Sequence, residues 1–313
     1  MSALLSIVVP CYNEQDSIQP FLQATCPVLD GLASFDDWRI VFVNDGSADA
    51  TLTQMRNAHA ADPRVAYVSF SRNFGKEAGL LAGMEKSLAL GASHVVVMDV
   101  DLQDPPSLLP QMIERMETTG CDIVATYRTT RAGEPPIRSW FARRFYALMG
   151  RFSDVEMRDG ARDYRIMTRR VVEAIASMPE NQRFSKGLFA WVGYHTEWIG
   201  YENIERTTGE THWSFFSLFG YALDGIIAFS VAPLIFISLL GLTVFALAML
   251  FLVFIFIRAL LFGDPVAGWP SLVCIVTLLS GLQLLSMGVL GLYLSKVYSE
   301  VKRRPVYLVA EES

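Results

Sequence analysis

Two stretches in the carboxy-terminal third of this 313-residue chain contain no Asp, Glu, Lys or Arg: Gly225 to Ile257, 33 positions, and Pro265 to Ser295, 31 positions. About 20 apolar residues cross a bilayer, so each stretch is long enough for a membrane span with residues left for tilt or for the interface. Core helices of soluble proteins seldom stay free of charge for so long. Only "RALLFGD", Arg258 to Asp264, separates the two, and it is too short to fold alone. Lys296, Lys302, Arg303 and Arg304 follow the second stretch, which by the positive-inside rule places that tail in the cytoplasm. With two spans, the large amino-terminal part shares that side, and the expected location is the plasma (inner) membrane with both termini cytoplasmic. The start, "MSALLSIVVPCYNE", has no basic leader, and its apolar run is soon interrupted by Pro10 and Glu14, so no signal peptide is expected. The four cysteines form no CxxC pair and read as reduced thiols, while the four scattered histidines give no zinc pattern.

The first 130 residues alternate strand and helix patterns. Strands are predicted at "LLSIVVP" (4–10), "WRIVFVND" (38–45), "RVAYVSFS" (64–71), "HVVVMDVD" (94–101) and "DIVATYR" (122–128), with helical segments such as "EAGLLAGMEKSLAL" between them. That order predicts an α/β fold with a mostly parallel sheet covered by helices on both faces, and its ligands gather at the carboxyl ends of the strands. Those ends carry "PCYNE", "NDGS", "SRNFGKEAG" and "DVDLQDPP". None contains GxGxxG, and "NFGKEAG" lacks P-loop spacing, so dinucleotide and P-loop readings are disfavoured. The ends offer carboxylates instead: Glu14, Asp45, Asp99, Asp101 and Asp104. Carboxylates need a cation between them and any phosphate. On a strand running to residue 101, Asp99 and Asp101 would point the same way, and their repulsion would be relieved by a raised pKa on one or by a divalent ion.

From Arg128 to Arg170 there are eleven arginines against five acidic residues, in a chain whose net charge is −6. Arginine forks match phosphate oxygens. Beside a membrane anchor, and with no nucleic-acid module in the sequence, lipid phosphate is the expected partner and nucleic acid is not. "THWSFFSLFGYALDG" (211–225) spaces Trp213, Phe216, Phe219 and Leu223 as an amphipathic helix at the interface.

Together, "VVPCYNE", "VNDGSADAT", "SRNFGKEAG", "DVDLQDPP", "RFSKGLFAWVG", "FGDPVAGWPSL" and "GVLGLYLSKVYSEVKRRPVYLV" resemble, in order, the motifs of the family 2 glycosyltransferases. Within these the chain is most similar to the polyprenyl-phosphate hexose synthases: dolichol-phosphate mannose synthase and, more closely, the bactoprenol glucosyltransferases with two carboxy-terminal spans. The resemblance implies a GT-A catalytic domain over 1–210, a juxtamembrane helix over 211–225, a two-helix transmembrane domain over 226–296 and a tail over 297–313. It implies a nucleotide-diphosphate sugar donor, UDP-glucose favoured, Mg²⁺ or Mn²⁺ as cofactor, and undecaprenyl or another polyprenyl phosphate as acceptor. The expected product is a polyprenyl-phosphate β-hexose, formed with inversion, for modification of a cell-envelope glycan such as O-antigen. N-acetylglucosamine, mannose, galactose and an aminoarabinose derivative remain alternative sugars, and a homo-oligomer stays open.

By the same resemblance, Asp99 and Asp101 are the DxD metal ligands, and Pro10, Tyr12, Glu14, Asp45, Lys76, Asp99 and Gln103 bind the nucleotide sugar. Asp163, Asp101 and Arg165 are the catalytic candidates, and Arg128, Arg131 and Arg138 take the acceptor phosphate. "RDGARDYRIMTR" departs from the usual Gly-Asp-Phe-Arg run: Arg162 precedes Asp163, and Tyr164 replaces phenylalanine. The neighbouring arginine is expected to alter the pKa of Asp163. Asp104, in "DPP", reads as a helix-start residue ahead of a metal ligand. A non-catalytic sugar-nucleotide-binding subunit is the rival reading, opposed by the intact DxD. A processive polysaccharide synthase is opposed by "QRFSKGLFAW", which does not match QxxRW.

Overall fold

The computed structural model describes residues 3–129, 158, 160–178, 180–181, 183–202, 232–262 and 268–313. The segment 211–225, Arg131 and Arg138 lie outside the described residues.

The apolar runs become strands buried on both faces, as parallel strands require. β1 (Leu4–Cys11), β2 (Asp37–Asn44), β3 (Val65–Phe70) and β4 (His94–Val97) alternate with α1 (Ile18–Asp30), α2 (Thr51–Ala61) and α3 (Lys76–Ala89). After a short 3₁₀ turn at Pro106–Leu108 come α4 (Leu109–Thr119), β5 (Ile123–Arg128), β6 (Ala161–Thr168), α5 (Arg169–Ala176), α6 (Ser185–Trp191) and β7 (Thr196–Tyr201). Two long helices follow, α7 (Ala232–Phe262) and α8 (Trp269–Val301), and then β8 (Val309–Glu312).

The eight strands form one sheet in the order β7-β5-β6-β4-β1-β2-β3-β8. β1, β2, β3 and β4 pair in parallel, as do β5 and β7, whereas β6 runs antiparallel to β4 and β5, and β8 antiparallel to β3. The predicted mostly parallel α/β sheet is therefore present. The carboxy-terminal β8 adds an edge strand that the sequence pattern did not show, and it draws the last residues of the predicted tail onto the sheet. One face packs Leu5, Ile7, Val9 and Phe42 beneath α1, α2 and α4; the other packs Val8, Val95 and Val97 beneath α3, α5 and α6. α3 lies so close to β1 that a Cβ on Gly83 would meet Val8 Cγ1 at 2.2 Å, so glycine is required there.

β1 lies between β2 and β4, so chain order reverses at β1 and opens a crevice between the carboxyl ends of β1 and β4. The predicted fourth strand is too long. β4 ends at Val97; Met98 N–H still donates to Val8 O at 3.1 Å, and the chain then turns out of the sheet, with Leu102 at φ 58°. The physical reason is in the motif: Asp99 N–H donates to Asp104 Oδ2 at 3.3 Å and Gln103 N–H to Asp101 Oδ1 at 3.1 Å, so its own carboxylates satisfy the backbone in place of a ladder. Strand alternation thus does not orient Asp99 and Asp101, which sit in a turn.

α7 continues through Arg258 to Phe262, so part of the predicted short connection is helical. Within α8, Leu278–Val301 is a 24-residue stretch long and apolar enough to cross a membrane. Many of its apolar side chains, including Leu278, Leu284, Leu290 and Leu294, are exposed, as are Leu247, Leu250 and Phe254 of α7. Faces this apolar and this uncovered fit association with a membrane.

Candidate active site

The antiparallel pairing of β4 with β6 creates the site. Val97 is registered opposite Arg165, so the two residues that follow β4 and the two that precede Arg165 in β6 run past one another. Asp99 and Asp163 are thereby brought together. Lys76, the first residue of α3, bridges them: its Nζ lies 2.6 Å from Asp99 Oδ1 and 2.8 Å from Asp163 Oδ2.

The electrostatics follow from that bridge. Burial disfavours the Asp163 carboxylate, but Lys76, with Lys186 and Arg165 behind it, outweighs burial and holds the carboxyl far below the usual carboxylate range. Asp99 is lowered in the same contest, burial and the like charge of Asp163 being overcome by Lys76 and Arg162. Burial acts against the Lys76 charge, and the two carboxylates reverse it and raise the ammonium well above its ordinary value. The cation that governs Asp163 is therefore Lys76, whereas Arg162 turns toward Asp104 and Asp99, with Nη2 3.4 Å from Asp104 Oδ1 and 3.9 Å from Asp99 Oδ2.

Asp104 does not cap a helix. It is fully buried, accepts from the Tyr201 hydroxyl at 2.7 Å and faces Arg162, and burial raises its pKa. It braces the turn that carries Asp99 and Asp101. Arg162, Tyr201 and Lys186 complete a site that sequence reasoning did not assign to them; the quoted run "RFSKG" was the available signal for Lys186, and a neighbouring charge in "ARDYR" the signal for Arg162.

The remaining predicted residues divide between crevice and frame. Asp45 follows β2 and spends both oxygens on another loop, accepting from Phe74 N–H at 2.6 Å and Gly75 N–H at 2.9 Å, while its burial raises its pKa against those bonds. It thereby sets the entry to α3 and the position of Lys76. Pro10 packs against Gly79 of α3, Tyr12 is exposed at the crevice, and Glu14 accepts from Ser17 Oγ at 2.6 Å. Gln103 accepts from Arg128 Nη2 at 2.9 Å, which places Arg128 on the DxD turn. Arg165 is buried; it donates to Arg162 O at 2.7 Å and Asp163 O at 3.2 Å, stacks on Phe189 at 3.7 Å, and burial lowers its pKa to about 10. Its fork shapes the backbone under Asp163 instead of reaching into the crevice. α6 is tied to α3 by Glu77, which accepts from Ser185 N–H at 2.8 Å and from the Ser185 hydroxyl.

Asp99 and Asp101 offer hard carboxylate oxygens, and among the described residues no group of three or more His, Cys, Asp or Glu side chains forms a cage by itself. Such a donor set fits Mg²⁺ or Mn²⁺ held jointly with phosphate oxygens. Asp101 accepts from Gln103 N–H at 3.1 Å, whereas Asp99 is engaged by Lys76 and faces Arg162.

The chain thus joins a mostly parallel α/β sheet, with a carboxylate-lined crevice at its reversal point, to long apolar helices, and comparison of its sequence identifies it as a glycosyltransferase. The sequence profile of glycosyl transferase family 2 matches residues 6–176, and the chain belongs to that family. It is 39% identical over 308 residues to the putative glycosyltransferase CsbB of Bacillus subtilis (strain 168), covering 98% of this chain and 92% of that protein. It is 37% identical over 305 residues to the prophage bactoprenol glucosyl transferase homolog of Escherichia coli (strain K12), covering 97% and 98%. The bactoprenol glucosyl transferase of Shigella phage SfII is 38% identical over 305 residues, covering 97% of each chain. Among solved structures, glucosyl-3-phosphoglycerate synthase from Mycobacterium tuberculosis superposes with a TM-score of 0.47 at 18% identity, over 72% of this chain and 78% of that one.

Proposed function

We propose that this glycosyltransferase moves a hexose, with glucose from UDP-glucose favoured, onto a polyprenyl phosphate at the cytoplasmic face of the plasma membrane. The observation that carries the reading is the Lys76 bridge between Asp99 and Asp163, at the mouth of the crevice. Near-full-length similarity to proteins named bactoprenol glucosyl transferases supports the lipid acceptor and the sugar. α7 and α8 serve as two membrane spans, with both termini cytoplasmic.

A phosphate monoester has a second pKa of about 6, so near neutral pH the lipid phosphate is already largely anionic and needs little help from a base. Asp163, held ionised far below the ordinary range, is a weak proton acceptor; its role is to orient Lys76 and the incoming phosphate. An oxygen of the lipid phosphate bonds to the anomeric carbon, the bond from that carbon to the donor diphosphate breaks, and its electron pair leaves on the nucleoside diphosphate. One displacement converts an α-linked donor into a β-linked product. A divalent ion on Asp101 and Asp99 supplies charge compensation for the diphosphate when bound. Arg128, with Arg131 and Arg138, receives the acceptor phosphate.

The test offers radiolabelled sugar nucleotides, one at a time, to membranes containing the protein and identifies the labelled lipid. A labelled polyprenyl-phosphate hexose formed from UDP-glucose is the expected result. No labelled lipid from any donor overturns the proposal, and label from another nucleotide replaces the sugar.

A further inference from the structure

Three charged side chains of β6, Arg162, Asp163 and Arg165, lie close together in sequence, and they are held in different ways. Asp163 is locked to Lys76 at 2.8 Å. Arg165 is buried, with its donors on backbone carbonyls. Arg162 is loosely held. Its closest partner is Asp104 Oδ1, 3.4 Å from both Nε and Nη2, and that oxygen already accepts from Tyr201 at 2.7 Å. Its other acidic neighbour, Asp99, is 3.9 Å away and has its short contact with Lys76. A contact of 3.4 Å lies beyond the ordinary range for N–H···O bonds, so the fork keeps donor capacity. Its side chain is 21% exposed, enough to be reached from the crevice.

We propose that Arg162 binds phosphate oxygens of the nucleoside diphosphate, and through that contact compensates the charge that builds on the leaving group. The inference rests on the sugar-nucleotide reading above and adds a residue to it. Three features of the geometry direct the fork to the donor. Asp104, itself fixed by Tyr201, sets the fork beside the DxD turn. Lys76 lies between Asp99 and Asp163 and offsets part of the negative charge that would otherwise repel a diphosphate there. A guanidinium presents paired donors that match two phosphate oxygens, a match that the point charge of Lys76 does not give.

The experiment titrates UDP and GDP into the full-length protein in detergent, at fixed Mn²⁺, for wild type, Arg162→Ala and Arg162→Lys, and measures the apparent KM for polyprenyl phosphate in parallel. The expected result is an affinity for the preferred diphosphate about 10- to 100-fold weaker in Arg162→Ala, the loss of one or two hydrogen bonds to a charged group, with only partial recovery in Arg162→Lys. The acceptor KM stays within about twofold of wild type, since the donor alone is touched. Thermal denaturation accompanies each titration; because Arg162→Lys keeps a cation beside buried Asp104, it carries the test if Arg162→Ala does not fold. Unchanged diphosphate affinity in a folded variant overturns the inference and leaves the reading of the reaction intact. A raised acceptor KM with unchanged diphosphate affinity also overturns it. A wild-type protein that binds neither diphosphate and transfers no sugar overturns both.

Discussion

Lys76 Nζ lies 2.8 Å from Asp163 Oδ2, and the same nitrogen lies 2.6 Å from Asp99 Oδ1. One ammonium thus holds two carboxylates that the sequence separates by 64 positions. The folded-state pKa of Asp163 is depressed, so its contribution to stability is present above the unfolded value of about 3.9 and is lost as pH falls through the folded value. The pKa of Lys76 is raised, so its contribution is present below about 10.4 and is lost as pH rises through the folded value. The bridge is intact across the neutral range. Lys76→Met should lower kcat by at least about tenfold and move the acid limb of the pH–rate profile upward, because Asp163 then ionises at higher pH without its partner. A profile that superposes on wild type would remove the bridge from catalysis.

Metal use should divide the two DxD carboxylates. EDTA should stop transfer, and Mn²⁺ or Mg²⁺ should restore it. Asp101→Asn should weaken Mn²⁺ binding, followed by electron paramagnetic resonance in the presence of UDP, by about tenfold or more. Asp99→Asn should weaken it less while releasing Lys76 and Arg162 from their partner. Full transfer in EDTA together with unchanged Mn²⁺ binding in Asp101→Asn would refute the metal assignment.

Gly46 brings the loop after β2 against the loop after β3. Its φ is 64°, and a Cβ there would meet the carbonyl carbon of Arg72 at 2.3 Å. That atom is backbone and cannot rotate away. Gly46→Ala should destabilise the folded protein by about 2 kcal/mol or more, combining left-handed strain with the clash. It should also weaken donor binding, because Asp45 beside it positions Phe74 and Gly75. Thermal denaturation in detergent and nucleotide titration read the two effects; a variant equal to wild type in both would show that the loops separate freely.

The residues after α8 fasten its end to the sheet. Tyr307 stacks on Phe70 with centroids 4.9 Å apart and bonds Glu85, while β8 pairs with β3 and Glu311 accepts from Arg56 Nε at 2.8 Å and from Tyr67 at 2.6 Å. Tyr307→Ala should cost about 1–3 kcal/mol, through loss of a half-buried aromatic ring, whereas Arg56→Ala, at an exposed pair, should cost clearly less. Chemical denaturation of the two variants gives the comparison; equal losses would mean that β8 is held by its charges rather than by the stacked ring.

The amino-acid sequence by itself determined the class of fold, the crevice and most of its carboxylates. Continuous β-branched runs such as "HVVV" fit a strand buried on both faces, as in a mostly parallel sheet covered by helices, and uncharged runs of more than 30 residues fit a lipid environment. These are properties of local pattern. Where β4 stops was not legible, because the carboxylates of Asp101 and Asp104 replace ladder partners that an apolar pattern cannot foresee. Tertiary structure alone decided which charges meet. The antiparallel entry of β6 beside β4 sets Val97 opposite Arg165, and from that register Asp163 comes to Lys76, Arg162 to Asp104, and Arg165 to the backbone. Three neighbouring charges in "RDYR" read alike in sequence. Alternation along the strand sends Arg162 to the face opposite Asp163 and Arg165, and the neighbouring elements then determine what each side chain meets.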